Sequence, residues 1–300
     1  MCKLTIHTST FNRAFILTKA YESLKSQTCK DFEWIISDDG STDNTAELVN
    51  SWLSQDNGFS IIYNKLDHVG LPRANNSGIA KANTDWFMIL DSDDYLLPET
   101  VEKVLRWLKE IENDQSFAGI GFARSYPDGK YMKEQVPTGI NEKGYFDATH
   151  IERKDHHIDM DMCEVHRTEL FKKYPFQCWE TESYAPPQLN YYEIALAGYK
   201  IRWHIEKLYI CEYLPGGLTR SNKKVKENPM GYAMMFNQYL IFTKSFKENC
   251  FNAIQMIALC LYAGHPEYLK QSNKKWLTTL LFPVGWIWSI RRKEQFKKLD

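Results

Sequence analysis

The chain has 300 residues, enough for one large domain or two small ones, and its 37 Lys and Arg nearly cancel its 38 Asp and Glu. A near-neutral chain has no global field to attract a polyanion, so nucleic acid is not an expected partner. Its seven scattered cysteines include no C-x-x-C pair, which argues against a zinc site and a disulfide scaffold and fits a reducing cytoplasm. No secretory leader is expected, because the sequence opens directly on a strand pattern, and neither repeats nor low-complexity segments are visible.

The first hundred residues alternate strand and helix. Short β-branched and aromatic runs predict strands near 3–8, 32–38, 59–64 and 86–90. Between them lie helical stripes. The first is Leu17, Ala20, Tyr21 and Leu24; the second is Leu48, Val49, Trp52 and Leu53. A third stripe is Leu71, Ala74, Gly78, Ile79 and Ala82, and a fourth is Val101, Val104, Leu105, Leu108 and Ile111. This alternation predicts a Rossmann-like, doubly wound, mostly parallel α/β sheet. Arg73 and Asn76 fall off the third stripe, so Arg73 either faces a cleft and meets a phosphate or forms a surface ion pair.

Two acidic turns end strands. The second strand runs into Asp38-Asp39-Gly40-Ser41-Thr42-Asp43, where an exposed carboxylate could accept from a base or a ribose, or simply sit in a capped strand-to-helix turn. The fourth ends at Leu90-Asp91-Ser92-Asp93-Asp94. Three carboxylates after a buried strand repel one another. A hard cation, Mg²⁺ or Mn²⁺, would relieve that repulsion and leave positions open for phosphate oxygens. The alternative is an acidic helix start, since Pro98 and Glu99 follow.

These turns come in an order that resembles glycosyltransferase family two. The matching segments are Leu4 to Arg13, Ser26-Gln27-Thr28, Asp38 to Ser41, Gly70 to Gly78, and Leu90 to Asp94 with Pro98. The resemblance covers roughly residues 1–220 and implies the GT-A fold. It divides the chain into a catalytic domain over 1–220, with a nucleotide-sugar half (1–115) and an acceptor half (116–220), and a helical C-terminal extension over 221–300. It further implies an inverting, metal-dependent transferase with a nucleotide-sugar donor of the UDP-sugar class. On that reading Asp93, assisted by Asp91, holds Mn²⁺ or Mg²⁺ in a D-x-D motif, Ser9 and Asp39 hold the nucleoside, and Thr8, Arg73, Asp91 and Ser92 complete the donor site.

Beyond residue 115 the pattern weakens. Residues 125–157 read as loop or edge hairpin. His156-His157-Ile158-Asp159-Met160-Asp161 has metal-type residues, but neighbours on one strand face opposite ways, so acceptor lining or a plain exposed strand end is preferred to a metal cluster. Val165 to Phe171, Tyr174-Pro175-Phe176 and Leu214 to Thr219 resemble the family's acceptor half. Between them the family places an acidic general base, and alignment to Ile194-Ala195 puts Pro187, beside Gln188, at that position. Neither side chain can take a proton. Glu182 and Glu180 are the nearest substitutes, with Glu193 and Asp161 behind them.

The tail has a helical stripe over Phe251 to Ala263 and an apolar run, Trp276 to Ile290, broken by Pro283 and Gly285 and followed by Arg291-Arg292-Lys293. The run is too short to span a bilayer. Tryptophans beside basic residues suit an anionic membrane surface, whereas the plainer reading is a helix pair packed on the protein. A cytoplasmic enzyme, peripheral on the inner face of the cell membrane, is expected, with a saccharide or polyprenyl-diphosphate-linked acceptor as in surface polysaccharide assembly. Two rivals are a non-catalytic nucleotide-sugar-binding relative and a sugar-nucleotide nucleotidyltransferase. The latter would want a glycine-rich phosphate loop after the first strand, and Thr8 to Arg13 contains no glycine.

Overall fold

The computed structural model describes residues 3–132, 137–158, 161–212 and 223–299. The expected boundary at 220, Asp159, and the segment Leu214 to Thr219 lie outside them. The chain divides into two compact units, one of residues 1–176 and 190–213, the other of 177–189 and 214–300.

The first unit is α/β. Strands β1 (Leu4–Thr10), β2 (Phe32–Asp38), β3 (Ser60–Lys65) and β4 (Trp86–Ile89) lie parallel in the order β3-β2-β1-β4. The intervening helices are α1 (Ala14–Lys25), α2 (Thr45–Leu53) and α3 (Leu71–Lys81), and α4 (Thr100–Ile111) follows. These are the four strands and four helices that the sequence pattern predicts. Beyond them the sheet turns mixed. The two-residue β5 (Tyr95–Leu96) pairs antiparallel with β9 (Lys200–Ile210), as does β7 (Tyr145–Ala148). Between β4 and β9 lie β8 (Met162–Arg167), antiparallel to β4, and β6 (Phe117–Ser125), antiparallel to β8 and parallel to β9. Among the described residues these nine strands form one sheet.

Both faces of the sheet are covered, so the central strands are apolar throughout rather than alternating. Trp34 and Ile36 of β2 pack to one side with Leu17, Tyr21, Trp52 and Val104; Ile35 packs to the other with Ile79, Phe87 and Phe171. Each such side chain stabilises the fold by about 1.5–3 kcal/mol through burial. Tyr21 stacks on Trp52 with ring centroids 4.2 Å apart. Leu53 and Leu71, expected in the stripes, are instead exposed at helix ends. Gly78 is required for packing: a Cβ there would sit 2.2 Å from the imidazole of His7, so α3 could not lie this close to β1.

Two short helices, α5 (Thr168–Lys173) and α6 (Gln188–Leu196), come next in the chain, and the second unit is helical: α7 (Lys223–Glu227), α8 (Pro229–Phe242), α9 (Phe246–Ala263) and α10 (Lys275–Lys297). Its core is Met230, Ala233, Leu240, Met256, Leu259, Leu277 and Phe296. Ser245 caps α9 by accepting from Glu248 N, and Gly264, at φ 79°, ends it. α10 lies close against α9, where a Cβ on Gly285 would come 2.5 Å from Cγ2 of Ile257. Pro283 is accommodated within α10. No described helix is long and apolar enough to cross a membrane.

Candidate active site

Because β1, β2 and β4 are parallel, their C-terminal ends share one sheet edge, where open α/β sheets bind ligands. Three loops meet there: Asn12–Arg13 after β1, Asp39–Asp43 after β2 and Asp91–Asp94 after β4. The first two brace each other. Asn12 N donates to Ser41 Oγ at 2.8 Å, Asn12 Oδ1 accepts from the amides of Thr42 and Asp43, and Ala14 N donates to Asp43 Oδ2 at 3.1 Å. Asn12 adopts φ 52°, a conformation asparagine tolerates well.

Asp39 is not the open carboxylate the sequence suggests. It is buried, and its Oδ1 and Oδ2 accept from the backbone amides of Val69 (2.6 Å) and Gly70 (3.0 Å). The carboxylate therefore fixes the turn that starts α3. On that turn the exposed ring of His68 lies 4.3 Å from that of Phe11, and the two give this edge an aromatic surface. Arg73 bends back to donate to Val69 O at 3.0 Å. Thr8 points inward: fully buried, its hydroxyl accepts from Trp34 Nε1 at 3.0 Å, so it is a support of the core and not a ligand contact. Ser9 is partly exposed and donates to Asn75 Oδ1 at 2.8 Å.

The acidic turn is held by arginines. Asp93 Oδ2 accepts from Arg13 Nη1 at 2.8 Å, and Asp91 Oδ2 from Arg124 Nη1 at 2.8 Å. Arg124 comes from β6, stacks 4.2 Å over the Tyr209 ring and donates through Nε to Met162 O. Tyr209 also donates to Asp91 Oδ2 and accepts from Asp91 N. Asp94 is buried behind the turn, with Arg124 3.8 Å away and the Cys211 thiol donating to it at 3.3 Å. Burial first, then repulsion by Asp91, pushes its carboxyl up to about 7 against the pull of Arg124. Ser92 is buried.

Asp91 and Asp93 are the partly exposed pair, and Oδ1 of each makes no hydrogen bond within the described residues. Three His, Cys, Asp or Glu side chains do not converge on one point anywhere among those residues. The donor set that exists, two carboxylates beside open space, fits a hard cation that takes its remaining ligands from diphosphate and water. It does not fit zinc.

Glu182 and Glu180 belong to the helical unit. Glu182 is buried, and its two oxygens accept from the amides of Met230 (2.7 Å) and Gly231 (2.8 Å) in the first turn of α8. Burial raises its pKa, partly offset by these two amides. The same junction is closed from the other side by Asn228, whose Oδ1 accepts from Ser183 N and Tyr184 N. Glu182 is thus a buried helix cap, which corrects its reading as a general base: a base must be presented to the acceptor hydroxyl, and Glu182 is turned into the start of α8. Glu180 is exposed.

Arg13, Arg124 and Tyr209 escaped the sequence reading as site residues. Arg13 sits in the family-like opening turn and could have been suspected. Arg124 and Tyr209 reach Asp91 across 33 and 118 residues, and no local pattern marks them.

The family model for Glycosyl transferase family 2 matches residues 5–175. The chain belongs to glycosyl transferase family 2. Among curated relatives it is 33% identical over 156 residues to the GalNAc(5)-diNAcBac-PP-undecaprenol beta-1,3-glucosyltransferase of Campylobacter jejuni, covering 52% of this chain and 47% of that one. It is 31% identical over 104 residues to the glycosyltransferase GlyG of Streptococcus pneumoniae, covering 35% of this chain and 34% of that one. The chain thus spans about half or less of the length of these relatives. Of solved structures, S. aureus TarS 1–349 in complex with UDP-GlcNAc aligns at TM-score 0.61 and 16% identity, over 91% of this chain and 82% of that one. The mannosyltransferase PcManGT of Pyrobaculum calidifontis, with GDP-Man and Mn²⁺, aligns at TM-score 0.56 and 13% identity, over 96% and 87%. The fold of this family 2 member is therefore GT-A.

Proposed function

We propose that the protein is an inverting glycosyltransferase that moves a sugar from a nucleotide donor of the UDP-sugar class to a hydroxyl of a saccharide or lipid-linked saccharide. The observation that carries this reading is the acidic turn Asp91–Asp94 at the C-terminal sheet edge, with two carboxylate oxygens left open beside the braced β1 and β2 loops. The UDP-GlcNAc bound by TarS and the undecaprenol-linked substrate in the Campylobacter relative's name support the donor and acceptor classes.

Asp93, with Asp91, would hold Mn²⁺ or Mg²⁺, which when bound neutralises charge on the leaving diphosphate. Phe11 and His68 offer the base a stacking surface, and Asp39 positions His68 through the turn it fixes. Ser9 is left as the nucleoside contact from β1, and Arg73, at the start of α3, adds positive charge toward the diphosphate. Glu180 is the proposed general base, taking the proton of the acceptor hydroxyl as that oxygen attacks the anomeric carbon and the bond to diphosphate breaks. A single in-line displacement inverts the anomeric centre. The test is UDP release from a panel of UDP-sugars with Mn²⁺, with and without saccharide acceptors. Absence of both binding and release across the panel would sink the assignment.

A second reading, a donor-binding relative without transferase chemistry, is favoured by Pro187 and Gln188 at the family's base position and by the capping role of Glu182. Tight UDP-sugar binding with neither transfer nor hydrolysis would select it.

The membrane surface is the proposed partner of the tail. Trp276, Leu280, Val284, Ile287 and Ile290 are all exposed and recur at helical spacing on α10, with Lys275, Arg291 and Lys293 nearby. Arg292 does not join them, since it turns inward to donate to Gln255 Oε1 at 2.6 Å. Flotation with anionic liposomes tests this. Trp276→Ser with Ile287→Ser should release the protein; truncating the helix would strip the α9 core and is not informative.

A further inference from the structure

The two arginines that face the acidic turn are held very differently. Arg124 is fixed by a backbone carbonyl, a carboxylate and an aromatic face at once. Arg13 makes one contact: Nη1 reaches Asp93 Oδ2 at 2.8 Å, and its remaining guanidinium donors make no hydrogen bond among the described residues. Its side chain is 24% exposed, and that of Asp93 26%. Its backbone, by contrast, is immobilised. The flanking amides of Asn12 and Ala14 are tied to Ser41 and Asp43, and its own carbonyl accepts from Ile16 N and Leu17 N at the start of α1. The structure therefore presents a charged side chain on a fixed stem with a single hydrogen-bonded, partly exposed partner.

We infer that Arg13 is an exchangeable counter-ion: it neutralises Asp93 while the donor site is empty, and it yields that carboxylate to a divalent cation only when a nucleoside diphosphate arrives to receive the guanidinium. The inference rests on the D-x-D reading above. The charges decide the direction. Three carboxylates (Asp91, Asp93, Asp94) face two guanidiniums (Arg13, Arg124), which leaves a formal charge of 3 − 2, or one negative, on the turn. A dication alone enters a site that is nearly neutral and meets a guanidinium in contact with its first ligand, so the two cations repel. A diphosphate changes the sum. It brings anionic oxygens for the dication to bridge, and planar, paired acceptors that a guanidinium recognises better than a lone carboxylate oxygen. Arg124 cannot take this part, because leaving Asp91 would bury an unpaired guanidinium beside Tyr209. The consequence is ordered binding: metal and nucleotide enter together, and free Mn²⁺ is kept out.

The test is Mn²⁺ affinity of the full chain, read from the electron paramagnetic resonance of free Mn²⁺, with and without UDP. The wild type should bind Mn²⁺ roughly tenfold or more tightly when UDP is present. Arg13→Gln and Arg13→Met should each bind Mn²⁺ roughly tenfold more tightly than the wild type in the absence of UDP, and should gain less from adding it. Arg13→Lys keeps the charge and should stay within about threefold of the wild type. Neutral variants, folded by circular dichroism, whose nucleotide-free affinity is unchanged overturn the inference while leaving the metal site standing. A lysine variant that gains as much as glutamine overturns the charge argument. Absence of Mn²⁺ binding by the wild type even with UDP would remove the metal reading itself, and this inference with it.

Discussion

Two acidic segments, Asp91–Asp94 and Glu180–Glu182, are alike in sequence and opposite in how the fold neutralises them. The first faces arginine side chains; in the second, Glu182 faces the backbone amides of a helix start while Glu180 is exposed. A side-chain counter-ion can be exchanged for a metal or a phosphate without unfolding anything. A pair of amides at a helix N-terminus cannot, because those groups have no intrahelical partner and would be left buried and unsatisfied. On the proposed function, acidic residues serve the reaction where their partners can move away and the fold where they cannot.

The comparison can be broken most sharply at the second segment. Glu180→Gln should lower turnover by about 10²–10⁴-fold with donor affinity and melting temperature intact, as loss of a general base does. Steady-state kinetics and calorimetry with UDP check this; near-full turnover would move the base elsewhere, to Glu193 or Asp161. Glu182→Ala should instead lower stability by about 2–3 kcal/mol, the cost of a lost charged cap and two orphaned amides, as read by denaturant unfolding. A Glu182 variant of normal stability and no turnover would restore its catalytic reading. Asp39→Ala sits between these extremes. It should loosen the Val69–Gly70 turn, costing on the order of 1–3 kcal/mol, and weaken UDP binding through the displaced His68.

The smallest effect concerns pH. Among the described residues His166 has neither ring nitrogen hydrogen-bonded; its ring stacks on Tyr191 and lies tilted against Phe171, and burial lowers its pKa to about 3. The unfolded chain takes up its proton near pH 6.5 and the folded one near 3, so folding loses stability as pH falls through that window. At pH 5 the loss is about 2 kcal/mol for this one group. His166→Phe should remove that share, so the drop in melting temperature from pH 7 to pH 5 should shrink; an unchanged drop would show that His166 is not the group responsible.

The same contrast explains what the sequence could disclose. The four parallel strands and their helices are local events, and their periodicities, from Leu17 and Tyr21 through Val101 and Leu108, carried their positions. The acidic turns were legible because they end those strands. Partners at long range were not: Thr8 reads as a cleft residue until Trp34 is found bonded to it, and Asp39 reads as exposed until Val69 and Gly70 are found folded over it. The mixed strands β5 to β9 pair across the chain, and their order follows from tertiary packing, not from any pattern within each strand.

Asp91 and Asp93 are proposed to bind a nucleoside diphosphate through a divalent cation. Calorimetric titration of UDP into the wild type and Asp93→Ala, each with Mn²⁺ and with EDTA, tests it most directly. UDP binding to the wild type should fall by at least about tenfold in EDTA, with no such metal dependence in Asp93→Ala. Equal UDP affinity in all four titrations would contradict it.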